Sequence, residues 1–142
     1  MKKNDELTRL GRIRRSRKII EMGLKYYDIK INKLSFLEEA TNVFYKLIDQ
    51  DGKKYAVKVY QEINSNMDDA LVEMHFLKLI GSETEIEVPN PIKNFDGEYI
   101  TYFDTPYDDV KKRVSVFEWL SGKDLDGNEE IDHFYEVGKI MA

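Results

Sequence analysis

At 142 residues, 42% of them hydrophobic and 12% aromatic, the chain has the length of one domain and the apolar content for a packed core. A net charge of −5 argues against a general attraction to nucleic acid or anionic lipid, and the absence of cysteine excludes disulfides and thiolate metal sites. No apolar run approaches the roughly 20 residues of a membrane helix and no signal-peptide stretch is found, so a cytoplasmic domain is expected.

From about Asp5 to Tyr26, the spacing of Leu7, Leu10, Ile13, Ile20 and Leu24 predicts a leading helix. Arg9, Arg12, Arg14, Arg15, Arg17 and Lys18 crowd its other faces. No aromatics interleave with them, so a solvated face is the better reading than an RNA contact. From Tyr27 the period becomes strand-like. Ile29, Ile31, Leu34, Phe36 and Leu37 mark a first strand and Val43 to Ile48 a second. Asp49-Gln50-Asp51-Gly52 carries a hairpin signal, after which Lys54 to Tyr60 runs back as the third strand. A helix opens with Asp68 and Asp69 behind a Ser65 or Asn66 cap, runs through Ile80 and stops at Gly81. Val88-Pro89-Asn90-Pro91 forces an extended connection. Ile92 to Phe95, the turn Asp96-Gly97 and Tyr99 to Phe103 predict another hairpin. A polar loop through Asp104-Thr105-Pro106 leads to a last strand, Val114 to Phe117. Ser121-Gly122-Lys123-Asp124 breaks that strand, and a helix starts at Ile131. The expected fold class is α+β: a twisted antiparallel sheet of five or six strands, one packed helix after the third strand, and a leading helix.

Alternation in the third strand puts Ala56, Lys58 and Tyr60 on one face, and Tyr55, Val57 and Val59 on the other. Glu73 falls on or beside the helix stripe formed with Ala70, Leu77 and Ile80. Neither charge sits cheaply in apolar surroundings alone, so each argues for the other as partner. On spacing alone a second arrangement stands level with this one, in which Lys58 snorkels to an edge and Glu73 faces solvent. If the two do meet, the ammonium suits a phosphate, and the small Ala56 leaves room for a flat base. The segment Val116-Phe117-Glu118-Trp119-Leu120-Ser121-Gly122, an apolar strand ending in a polar kink, offers backbone groups to an adenine edge. Asp124-Leu125-Asp126-Gly127-Asn128 departs from a calcium loop, with its glycine too early, and reads as a turn. His75, between Met74 and Phe76 with no second ligand beside it, reads as a packing or surface residue.

Six segments in order carry a wider likeness: Arg12-Ile13-Arg14-Arg15-Ser16-Arg17, Glu39-Ala40-Thr41-Asn42-Val43-Phe44-Tyr45, Asp51 to Val59, Glu73, Val88-Pro89-Asn90-Pro91 with Asp96-Gly97, and Phe117 to Gly122. Together they resemble the N-terminal half of the aminoglycoside phosphotransferase/choline kinase family of the protein-kinase-like fold. More narrowly, they are similar to its homoserine-kinase-like and stress-response-kinase-like members. The resemblance implies that Lys58 binds the α- and β-phosphates of ATP with Glu73 as its orienting partner. It implies Ala56 as the roof over adenine, Phe117 at the back of the pocket, and the Glu118 carbonyl and Leu120 amide as the adenine hydrogen-bond pair. Thr41 and Asn42 would lie in the turn over the phosphates. It further implies a leading helix (1–26), a nucleotide-binding N-lobe (27–120), and a hinge with the start of a second lobe (121–142).

The implied activity is transfer of the γ-phosphate of ATP, with Mg²⁺, to a hydroxyl of a small molecule (amino alcohol, aminoglycoside or homoserine type) or a protein. The family's His-x-Asp-x-x-x-x-Asn loop is absent, since neither His75 nor His133 has an Asp two positions on. The chain is therefore expected to be a fragment, inactive alone, with the metal ligands and acceptor site in the missing lobe. Its ATP affinity is expected on the order of millimolar. An apolar hinge face, with Phe134 and Tyr135, is expected to invite self-association. The rival readings are a non-catalytic protein-binding module with the same sheet, and a nucleic-acid binder acting through the basic helix.

Overall fold

The computed structural model describes residues 2–61 and 67–122. Outside them lie the expected cap at Ser65 or Asn66, the turn at Asp124 to Asn128, the helix from Ile131, and Phe134 with Tyr135. Helix α1 spans Arg9–Gly23, strands β1 to β3 span Ile31–Glu39, Val43–Asp49 and Lys54–Val59, and helix α2 spans Met67–Glu83. Strands β4 to β6 span Pro91–Ile92, Thr101–Thr105 and Asp108–Glu118. The six strands form one antiparallel sheet in the order β1-β2-β3-β6-β4, with β5 also paired to β6. The α+β class, the sheet size and the two helices match the expectation.

The β2–β3 hairpin follows its sequence signal closely. Gly52 takes φ +83°, which a Cβ would disfavour, and the Asp49 side chain accepts the amides of Asp51 and Lys53, each at 2.9 Å. That turn fixes the register, so that Lys46 faces Ala56 and Phe44 faces Lys58.

Helix α1 is shorter than its hydrophobic spacing suggests, because the Thr8 hydroxyl caps it by accepting the Gly11 amide, and Asn4–Glu6 is only a 3-10 turn. Its buried stripe also differs. The expected Ile20 and Leu24 are buried, but Leu10 is exposed, and Ser16, Ile19 and Gly23 join the buried face. The stripe runs through Gly23 because the sheet comes too close for anything larger: a Cβ there would lie 2.6 Å from a Val114 methyl and 2.9 Å from the Phe103 ring.

Three further departures have clear causes. The expected hairpin between Ile92 and Phe103 does not form a ladder, because β4 and β5 abut end to end along the same edge of β6. The Asx turn between them is real. Asn94 accepts the amides of Asp96 and Glu98, each at 3.0 Å, and donates to Thr101 at 2.9 Å. The expected polar loop is instead the β5–β6 hairpin, closed by Pro106 and Tyr107, with Thr105 opposite Asp108. Helix α2, for its part, runs past Gly81 to Glu83. Gly81 is explained by packing, since a Cβ there would lie 3.1 Å from a methyl of Val88 on the returning segment.

The sheet separates two cores. On one face α1 packs on Leu34, Tyr45, Leu47, Val57, Val114 and Val116. On the other, Ala70 and Met74 of α2 pack with Tyr60, Ile100 and Phe117. No helix among the described residues is long and apolar enough to cross a membrane.

Candidate functional site

Strand alternation sends Ala56, Lys58 and Tyr60 to the α2 face, because Tyr55, Val57 and Val59 fill the α1 core. The Lys58 ammonium donates to Glu73 Oε2 at 2.8 Å. The pair is one-sided in burial: side-chain exposure is 9% for Lys58 and 45% for Glu73. Glu73 therefore lies beside the buried stripe, whose inner position belongs to Met74. Two aromatic rings complete the setting of the ammonium, Tyr60 at 4.7 Å and Phe44 at 6.0 Å from Nζ to the ring centre. Such contacts hold a cation in place by about 0.5–2 kcal/mol without neutralising it. The Tyr60 ring is fixed in turn by a 3.1 Å hydrogen bond between its hydroxyl and that of Ser115, the cross-strand neighbour of Lys58. Burial pushes the Tyr60 phenol up to about 12, so at neutral pH it stays uncharged. The arrangement is a nearly dry ammonium with one carboxylate partner that solvent or another anion can reach. That is what a phosphate-binding lysine requires.

Other candidate residues fall around it. Ala56 and Phe117 are cross-strand partners on the same face, and Phe117 is buried. Beyond them, the Glu118 amide donates to the Asn90 carbonyl at 2.9 Å and the Trp119 amide to the Lys54 carbonyl at 3.2 Å. The Leu120 amide enters no backbone hydrogen bond among the described residues. The Glu118 side chain turns to the surface, 3.8 Å from Lys53. Thr41 is exposed at the β1–β2 turn. Asn42 is engaged in holding the chain itself: its Oδ1 accepts the Gln61 amide at 3.1 Å, tying the turn to the end of β3. The stem of that turn is pinned by Arg12 of α1, whose Nε donates to Glu39 at 2.9 Å. That hydrogen bond, with the Glu39 charge, raises the Arg12 pKa further above its ordinary value.

The basic helix is likewise invested in the protein. Arg17 donates to the Leu34 carbonyl, and Arg15 to the Lys2 carbonyl while stacking on Tyr107. His75 is exposed on α2, and among the described residues no group of three or more His, Asp or Glu side chains could hold a metal.

Sequence reasoning missed three participants: Phe44, Lys46 and Ser115. Hairpin register carried the signal for the first two, since the Asp-Gly turn alone puts Phe44 beside Lys58 and Lys46 beside Ala56. Two shallow grooves, of about 370 and 470 Å³, lie not at Lys58 but at the end of α2, the first between that end and Glu118 to Leu120, the second between α2 and Asn90. Ile86 and Leu120 are exposed at the first and Leu79 at the second.

No protein-family model matches the chain, and no curated protein matches it. Among solved structures it is similar to a microcompartment-associated aminopropanol kinase, with TM-score 0.66 and 23% identity over 77% of this chain and 33% of that one. It is also similar to an amicoumacin kinase in complex with AMP-PNP, Ca²⁺ and Ami, with TM-score 0.65 and 20% identity over 75% of this chain and 31% of that one. The chain thus spans about a third of the length of the kinases it matches, and its fold is that of their N-terminal lobe.

Proposed function

We propose that the chain is the ATP-binding lobe of a phosphotransferase that moves the γ-phosphate of ATP to a hydroxyl, on a small molecule of the amino alcohol, aminoglycoside or homoserine type or on a protein. The single observation that carries this reading is the Lys58–Glu73 pair, at 2.8 Å, on a sheet that superposes on two small-molecule kinases. In it Lys58 holds the α- and β-phosphates, and Glu73 keeps the ammonium placed when phosphate is absent. Ala56 and Phe117 border the base, which the Glu118 carbonyl and Leu120 amide address by hydrogen bonds. Thr41 presents the flap, and Asn42 keeps it fixed to β3. Mg²⁺ would supply positive charge against the phosphates, and its protein ligands and the catalytic loop would come from a second lobe. The lobe 27–120 is then the nucleotide-binding unit, and the chain by itself transfers no phosphate.

Calorimetric titration with ATP tests the reading. Binding is expected on the order of millimolar, about −4 kcal/mol, since half of the cleft belongs to the other lobe. Lys58→Ala should abolish it and Lys53→Ala should leave it unchanged. Equal effects of the two substitutions refute the assignment.

A second reading, a protein-binding module without catalysis, draws on α2. Val72, Phe76 and Leu79 follow one another at helical spacing on its outer face and are 65%, 59% and 56% exposed. That reading replaces the first if the chain fails to bind ATP at any concentration up to tens of millimolar.

A further inference from the structure

Lys46 leaves β2 on the side opposite Tyr45 and Leu47, which are buried under α1, so it shares the face of Ala56 and Lys58. Trp119 sits one residue past β6, level with Lys54. Strand β3 lies between β2 and β6, so the two backbones are roughly 10 Å apart. The Lys46 ammonium nevertheless stands 4.4 Å from the centre of the Trp119 ring. The two side chains can meet only by reaching toward each other across β3, beside Ala56, where a methyl group leaves the space. Both residues are half-buried there.

From this we infer that Trp119 is the stacking platform for the base of a purine nucleotide, and that Lys46 covers the ring until the base takes its place. The inference rests on the nucleotide reading above and deepens it. A tryptophan face attracts an ammonium and an aromatic base alike, by its quadrupole in one case and by stacking in the other. The exchange is cheap because the displaced ammonium goes back to water, where a lysine head is well solvated. Stacking tolerates any purine, so adenine and guanine nucleotides should both use the platform, and selection between them falls to the backbone groups of the hinge.

Trp119 is the only tryptophan of the chain, so its emission reports the site without a label. Under selective tryptophan excitation, ATP should quench it saturably, with a midpoint matching the calorimetric Kd. Inorganic tripolyphosphate, which carries the charge but no base, should leave the emission unchanged. Trp119→Phe, which keeps a ring, should retain ATP affinity within about twofold, whereas Trp119→Leu should lose about tenfold. ATP that binds by calorimetry while Trp119 stays silent overturns this inference and leaves the nucleotide reading standing. Equal quenching by tripolyphosphate, or equal losses in the two variants, overturns it as well. The absence of any calorimetric ATP binding overturns the nucleotide reading, and the inference with it.

Discussion

The two helices lie on opposite faces of one sheet and are held in opposite ways. Helix α1 is riveted: Gly23 lets it sink onto Val114 and Phe103, Tyr45 donates to the Ile13 carbonyl at 2.9 Å beside Ser16, and Arg12 and Arg17 reach down to β1. Helix α2 buries Ala70 and Met74, rests Leu71 and Leu77 partly on the same core, and meets β3 through one ion pair, while Val72, Phe76 and Leu79 face outward. Stability and candidate chemistry are thereby assigned to different sides of the same β-strands. A strand such as β3 can give Tyr55, Val57 and Val59 to the α1 core and keep Ala56 and Lys58 on the other face because its side chains alternate.

Substitutions that separate the two faces would sharpen or break this contrast. The largest effect is expected on the α1 side. Gly23→Val places methyl groups where a Cβ alone already meets Val114 at 2.6 Å, and should cost about 3 kcal/mol in urea denaturation. ATP affinity of the molecules that remain folded should not change. On the α2 side the order reverses. Glu73→Gln should cost no more than about 1 kcal/mol of stability, because half of that carboxylate is exposed, yet should weaken ATP binding several-fold by unfixing Lys58. A large stability loss with unchanged ATP affinity would contradict the division.

Alkaline pH gives a third, graded probe. Tyr60 titrates near 12 in the folded chain, mainly because it is buried, against 10.0 when unfolded. Tyr55 is raised to about the same value by burial and by Asp49. Below pH 10 both phenols are protonated in either state and their contribution is complete. Between pH 10 and 12 only the unfolded chain releases protons, so stability should fall as pH rises, by about 1.4 kcal/mol per unit for each group at most. Tyr60→Phe should remove its share of that slope, which urea midpoints at successive pH values would show. The smallest effect concerns association. Exposed Ile86 and Leu120, which line one groove past the end of β6, should give weak, concentration-dependent sedimentation, and Leu120→Ser should reduce it.

What was legible in the sequence follows the strength of local signals. Asp49 to Gly52 announced a turn, alternation put Ala56 and Lys58 on one face, and the register set by the turn placed Lys46 and Phe44 beside them. The Lys58–Glu73 contact could be suspected but not decided from spacing, because a helix face is known only to within a residue until its packing is seen. The buried partner on that turn proved to be Met74, with Glu73 at the margin. The α1 stripe was legible at Ile13, Ile20 and Leu24 but not at Ser16 and Gly23, which are buried for a hydrogen bond and for closeness instead of apolarity. The β5–β6 hairpin was hidden by Asp108 to Arg113, a charged run whose pairing depends on Thr101 to Thr105 and on no alternation of its own.

The central claim is that one buried ammonium, kept in place by Glu73, receives the phosphates. Its most direct test is an ATP titration of the chain with lysine side chains labelled at Cε, followed by NMR. The account predicts that the Lys58 resonance shifts saturably at the calorimetric Kd while those of exposed Lys53 and Lys54 stay in place. A Lys58 signal that does not move as ATP binds, or surface lysines that shift in its stead, would contradict it.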